Sequence, residues 1–142
     1  MNSIRFLLAS ILLIAVIGGC ASVKETRKKA VILPPGTLNA TEVTALFSGK
    51  TVRSVLDKNG RISLTYYNPG GEIVQTREGR KRSGIWWVRK DGRICLQFEG
   101  AKSRCRIITK EGPVYRKYIV KRDGNHRRII TYTSFTDGNL IE

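Results

Sequence analysis

Apolar residues gather into one long run, FLLASILLIAVI from Phe6 to Ile17, and beyond Lys50 they alternate with polar ones. The run follows a short start whose only charge is Arg5. About 7–15 apolar residues behind a basic start describe a secretory signal, whereas a membrane-spanning helix needs roughly 20. The alternating region breaks into short segments rich in Val, Ile, Thr, Tyr and Trp, punctuated by turn pairs. Asn59-Gly60 divides TVRSVL from RISLTYYN, and NPGG (Asn68 to Gly71) leads into EIVQTRE. Asp91-Gly92 divides GIWWVRK from RICLQFE, and Asp123-Gly124 divides VYRKYIVK from NHRRIITYTS. Asn-Gly and Asp-Gly between strand-like runs signal two-residue hairpin loops, in which both central residues take φ > 0. About eight strands with short connections follow from this spacing. A meander of that length closes on itself or curls strongly to remove its edges. The expected fold is mainly β: an antiparallel meander forming a small β-barrel or half-barrel, with one short N-terminal helix.

That helix is written in LNATEVTALFSGK. Asn39 is the N-cap and Glu42 lies at the capping-box offset, while Leu38 and Val43 are placed for a hydrophobic staple. Val43, Leu46 and Phe47 share a face, and Gly49 supplies the stop. So short a helix must pack on something larger.

Register carries a conflict. With Asp91-Gly92 as a two-residue loop, Trp87 faces Leu96 and Ile85 faces Phe98, and these four with Ile94 make the apolar face. Trp86, Val88 and Cys95 then lie on the other side. The same parity, carried through the next hairpin, puts Arg104 and Arg106 on the apolar side. A bulge near Gly100 that flips the register is the preferred resolution. The alternative sends both arginines into the barrel mouth, where they make an anion-binding pocket.

Three cysteines change the picture. Ile17-Gly18-Gly19-Cys20 ends the apolar run, and it resembles the bacterial lipobox. That resemblance implies cleavage before Cys20, acylation of its thiol with diacylglycerol, and an acylated new N-terminus. Two or three chains on one residue anchor stably where a single chain holds only reversibly. Ala21-Ser22 in place of an Asp implies, by similarity to Gram-negative sorting signals, the periplasmic face of the outer membrane. Cys95 and Cys105 sit evenly about Gly100 and fall opposite one another in a simple hairpin. Directly opposed Cβ atoms lie about 4.5–5.5 Å apart, close to what a disulfide needs, and an exported protein folds where disulfides form. A metal site lacks partners, because His126 is the only histidine and no C-x-x-C occurs. No metal or other cofactor is expected. The organisation read from the chain is a signal peptide over 1–19, a lipidated flexible tether over 20–36, and a β domain over 37–142.

Lys and Arg number 26 against 11 Asp and Glu. The basic residues cluster at Arg80-Lys81-Arg82, at Lys102, Arg104 and Arg106, and at Arg116, Lys117, Lys121, Arg122, Arg127 and Arg128. Arg80, Lys81, Arg82, Arg104 and Arg106 are the candidate anion-binding residues. Nucleic acid is the usual partner for such charge, but a periplasmic address offers other anions: lipid headgroups, envelope polymers and acidic proteins. His126 stands between Asn125 and Arg127-Arg128 with no evident base or nucleophile partner, so no catalytic constellation is visible.

The order ALFSGKTV, YYNPGGEI, SGIWWVRKDGRICLQF, SRCRIITKEGPVYRKY resembles a family of small exported proteobacterial proteins, domain of unknown function 995. The matching features are Gly49-Lys50-Thr51, Tyr66-Tyr67 with Pro69-Gly70, Gly84-Ile85-Trp86, and Cys95 with Cys105, over roughly Thr41 to Tyr118. The resemblance implies a compact exported β domain and brings no activity. The expected function is a non-enzymatic envelope lipoprotein, membrane-bound through its lipid, whose basic domain binds an anionic component or protein partner. A lipocalin-like carrier of a small apolar or anionic ligand is the alternative, and it requires an open cavity.

Overall fold

The computed structural model describes residues 31–141, so the segment read as a signal peptide, the expected lipidation site Cys20 and most of the expected tether lie outside the described residues. A helix and eight strands follow in chain order: α1 (Ala40–Phe47), β1 (Lys50–Leu56), β2 (Ile62–Tyr67), β3 (Glu72–Arg77), β4 (Arg80–Val88), β5 (Ile94–Phe98), β6 (Arg104–Glu111), β7 (Val114–Val120) and β8 (His126–Asp137). Each strand pairs antiparallel with the next, and β8 returns to pair with β1. The meander is a closed barrel, with no free edge strand among the described residues. β8 bears both irregularities of register, opposite Arg53/Ser54 and opposite Lys117/Tyr118, and such bulges bend a long strand around a small barrel.

One end of the barrel is plugged. Asn39 accepts from the Glu42 amide while Glu42 accepts from the Asn39 amide, the complete capping box. Only eight residues long, α1 holds through packing more than propensity. It drives Val43 and Phe47, both fully buried, into the barrel. The Phe47 ring meets Tyr67 at 4.9 Å, Tyr132 at 5.2 Å and Phe135 at 5.5 Å, all edge-on. Trp86 stands edge-on to Tyr67 at 5.4 Å and donates its indole N–H to the Asn68 carbonyl. The chain enters the barrel at this same end. The Leu38 amide donates to Ile108 and the Lys110 amide to Gly36, beyond the reach of short β5. A Cβ on Gly36 would stand 2.4 Å from the Lys110 carbonyl oxygen, so the close approach requires glycine.

The β4–β5 register corrects the sequence reading by one residue. Val88 pairs with Ile94, Trp87 with Cys95, Trp86 with Leu96 and Gly84 with Phe98. Trp86 is therefore the inner tryptophan, 6 % exposed, and Trp87 the outer one, 37 % exposed alongside exposed Ile85. The cause is the turn. Arg89 donates to the Arg93 carbonyl, leaving a three-residue loop of Lys90, Asp91 and Gly92. Asp91 takes no positive φ; its carboxylate accepts from the Arg93 amide, and Gly92 alone is left-handed. A one-residue slip turns every side chain of a strand to the other face.

No bulge follows at Gly100. Leu96 pairs with Arg104, Cys95 with Cys105 and Ile94 with Arg106 in unbroken register. The preferred resolution of the arginine conflict is thus overturned, because Arg104 and Arg106 share the inner face with Leu96 and Ile94. The Cys95–Cys105 disulfide joins directly opposed residues, Cα–Cα 4.0 Å, on the reverse side. It locks the register that aims both arginines inward. Replacing both cysteines by serine is expected to cost roughly 3 kcal/mol in the chain-entropy picture, read as a lower midpoint in urea unfolding. An unchanged midpoint would show that the barrel itself holds this register.

Candidate anion-binding cavity

The end opposite α1 is open. Tyr67 and Tyr132 form a floor above the Phe47 plug, and beyond them a cavity of about 400 Å³ opens toward the turns. Alternation aims every second residue inward, and near the mouth many of those residues are basic. Arg77 comes from β3, Arg82 from β4, Arg104 and Arg106 from β6 and Lys117 from β7, with Lys102 from the β5–β6 turn. Among the described residues no carboxylate lines the cavity. The remaining wall is apolar, from Leu56, Leu96, Phe98, Ile129 and Ile130, or neutral, from Ser54, Thr65 and Gln75.

The cations are graded by depth. Arg82 and Arg104 are exposed at the rim, Arg77 and Arg106 are half-buried, and Lys117 is 5 % exposed. Several are fixed in place. Arg82 donates through Nε and Nη2 to Gln75 Oε1, and its guanidinium lies 3.7 Å over the Phe98 ring. Gln75 is oriented in turn by donating to Thr65 at 2.8 Å. Arg77 donates through Nε to Ser63, and Arg106 through Nη1 to the Cys105 carbonyl. Lys117 makes no hydrogen bond or ion pair among the described residues, and its nearest aromatic neighbour is the Tyr132 ring at 5.6 Å. The buried Tyr132 hydroxyl has no partner either.

Crowded like charges leave a signature. Burial, then the Arg106 and Arg77 guanidinium groups, push the Lys117 ammonium down to about 7. Burial followed by Arg77 and Arg104 lowers Arg82, and burial followed by Arg104 lowers Arg106. Outside, the situation is reversed. The six ion pairs among the described residues, such as Arg128–Asp57 and Arg116–Glu111, all involve cations other than those of the cavity. Acidic residues pair with cations of the exterior and, among the described residues, are withheld from the cavity.

The candidate residues read from the sequence divide accordingly. Arg82, Arg104 and Arg106 meet in the cavity, whereas Arg80 and Lys81 are exposed and do not line it. The run Arg80-Lys81-Arg82 is strand β4, not a loop patch, so its residues alternate in direction. Arg77 and the buried position of Lys117 went unread. Both carried a signal: Arg77 lies at the inward spacing from Ile73 and Gln75, and Lys117 two residues beyond Tyr115. His126 stands at the exposed start of β8, its ring 5.9 Å from Tyr118 and outside the cavity. A larger hollow of about 530 Å³ lies between Glu72, Ile85 and Glu99, but it is a surface groove with two carboxylates and no cation. No model of a known protein family matches the chain, and no curated protein is similar to it.

Proposed function

We propose that this chain is a lipid-anchored protein of the bacterial envelope whose barrel binds a small anionic ligand, in the manner of a lipocalin-like carrier. One observation carries the reading: among the described residues six cations line an open cavity without a single carboxylate, while the ion pairs all form on cations elsewhere. Holding like charges together opposes folding, and an anion in their midst relieves that cost. The volume falls in the range of roughly 300–1,000 Å³ typical of small-ligand sites. The graded burial suits capture, with rim arginines attracting an anion and deeper groups holding it where water screens less. This favours binding within the barrel over binding on its outer surface. The anchor rests on the lipobox at Cys20, and the resemblance to the domain of unknown function 995 family adds an exported β domain.

The test is thermal unfolding of the detergent-extracted protein with phosphate, citrate and uncharged polyols. Anions are expected to raise the midpoint and polyols to leave it unchanged. Arg82→Ser with Arg104→Ser should remove the anion effect, whereas Lys81→Ser with Lys121→Ser, both outside the cavity, should preserve it. The opposite pattern would overturn the cavity reading. Labelled fatty acid should be incorporated into the native chain and not into Cys20→Ala; equal labelling would overturn the anchor.

A further inference from the structure

The floor of the cavity differs from its rim. Three cations from three strands, Arg77, Arg106 and Lys117, line it behind the exposed Arg82 and Arg104. Among the described residues the most deeply buried of them, Lys117, has no hydrogen bond or ion pair, and neither has the hydroxyl of Tyr132, whose ring lies 5.6 Å from the Lys117 ammonium. Arg106 commits only Nη1, and Arg77 only Nε, to protein acceptors among the described residues. Unused donors therefore remain on all four groups, and all belong to side chains that line one space.

We propose that the group bound at this floor is a terminal phosphate, the dianion of a phosphate monoester, gripped by Lys117, Arg106 and Arg77 with Tyr132 as a neutral donor. The proposal rests on the cavity being an anion site and names the anion. A lone carboxylate brings one charge and two oxygens, too few for three cations and four sets of unused donors. A terminal phosphate brings a charge near two and three strong acceptor oxygens. Guanidinium forks suit its geometry, and an ammonium adds a compact charge. The cavity also extends past the floor along Leu96, Phe98 and Ile130 to the rim. That space and its apolar wall accommodate the organic part of an ester.

Protonation gives this site its own fingerprint. The groups facing Lys117 are Arg77 of β3, Arg82 of β4, Arg104 and Arg106 of β6, Tyr67 of β2 and Tyr132 of β8, none of them a carboxylate. With its ammonium pushed down to about 7, Lys117 is half-charged at neutral pH before ligand arrives. A dianion beside it draws the proton back. Binding is thus coupled to proton uptake at Lys117, and affinity falls about tenfold per pH unit above neutrality. Below pH ~6 the phosphate itself loses its second charge and affinity falls again.

Calorimetric titration of the detergent-extracted protein tests this with glycerol phosphate, dimethyl phosphate and acetate as probes. At pH 7 glycerol phosphate is expected to bind at least tenfold tighter than the two monoanions. Its affinity should peak between pH 6 and 7, with proton uptake seen as a dependence of the heat on buffer ionisation. Lys117→Met should weaken binding at least thirtyfold and flatten the alkaline fall, while Lys117→Arg restores neutral affinity without the fall. Tyr132→Phe should weaken binding severalfold with the pH profile kept. Equal affinity for acetate or dimethyl phosphate would overturn the phosphate assignment and leave the anion cavity standing. Failure of every anion to bind would overturn both. Short-chain phosphatidic acid resolves the source: binding tenfold tighter than glycerol phosphate identifies a lipid headgroup, and equal binding identifies a soluble ester.

Discussion

Trp86→Ala is expected to destabilise the barrel by about 3–5 kcal/mol, as for a large aromatic removed from a packed core. Trp87→Ala, one residue along, should cost no more than about 1 kcal/mol. Trp86 is 6 % exposed, packs edge-on to Tyr67 and satisfies its N–H on Asn68. Its loss leaves a cavity beside Tyr67 and removes one of the two hydrogen bonds to the Asn68 carbonyl, which keeps that from the Gly71 amide. Trp87 is 37 % exposed on the outer face, paired with Cys95. Urea unfolding of the two variants reads the difference directly. A larger loss for Trp87 would show that the register at Asp91-Gly92 is the two-residue one.

The second large effect has the opposite sign. Lys117→Met is expected to stabilise the ligand-free protein at pH 7, by about 1–4 kcal/mol as when buried charge gives way to an apolar side chain of similar volume. The native-state ammonium titrates near 7, below its ordinary value of 10.5, because of burial and then Arg106 and Arg77. Between those two pH values the unfolded chain binds the proton more tightly than the native one does. The contribution of Lys117 is therefore fully favourable only above about 10.5, and it is lost progressively as pH falls to about 7. Wild-type stability should rise with pH across that window, and the variant should lack that component. Destabilisation by Lys117→Met would mean that its methylenes matter more than its charge. A gain in stability with a loss of phosphate binding is the expected pairing, a group kept for function at a cost to the fold.

Strand number, meander order, helix and disulfide were all legible because each has a local cause. The capping box at Asn39 and Glu42 needs only four residues, and alternating runs between glycines need only a hairpin each. Register was not legible, because Asp-Gly serves two turns. At Asp91, Asn59 and Asp123 the side chain accepts from the amide two residues on, and only the glycine is left-handed. The loop is then one or two residues longer than the two-residue reading. The two-residue turn with both residues at positive φ is at Glu78-Gly79 instead, between Arg77 and Arg80. The site followed the same logic. Inward arginines conflict with an apolar interior only if the interior is apolar throughout, and alternation cannot reveal that one end of the barrel is open. Arg104 and Arg106 were correctly placed by parity, and the bulge introduced to spare them does not exist.

The pairing of Gly36–Leu38 with the far end of β6 fixes the end of the barrel at which the chain arrives. The chain joins the barrel beside the α1 plug, and the cationic mouth opens at the other end. An attachment made upstream holds the barrel as a cup is held by its base. The rim then stays clear of the point of support, and ligand can pass in and out without α1 having to shift.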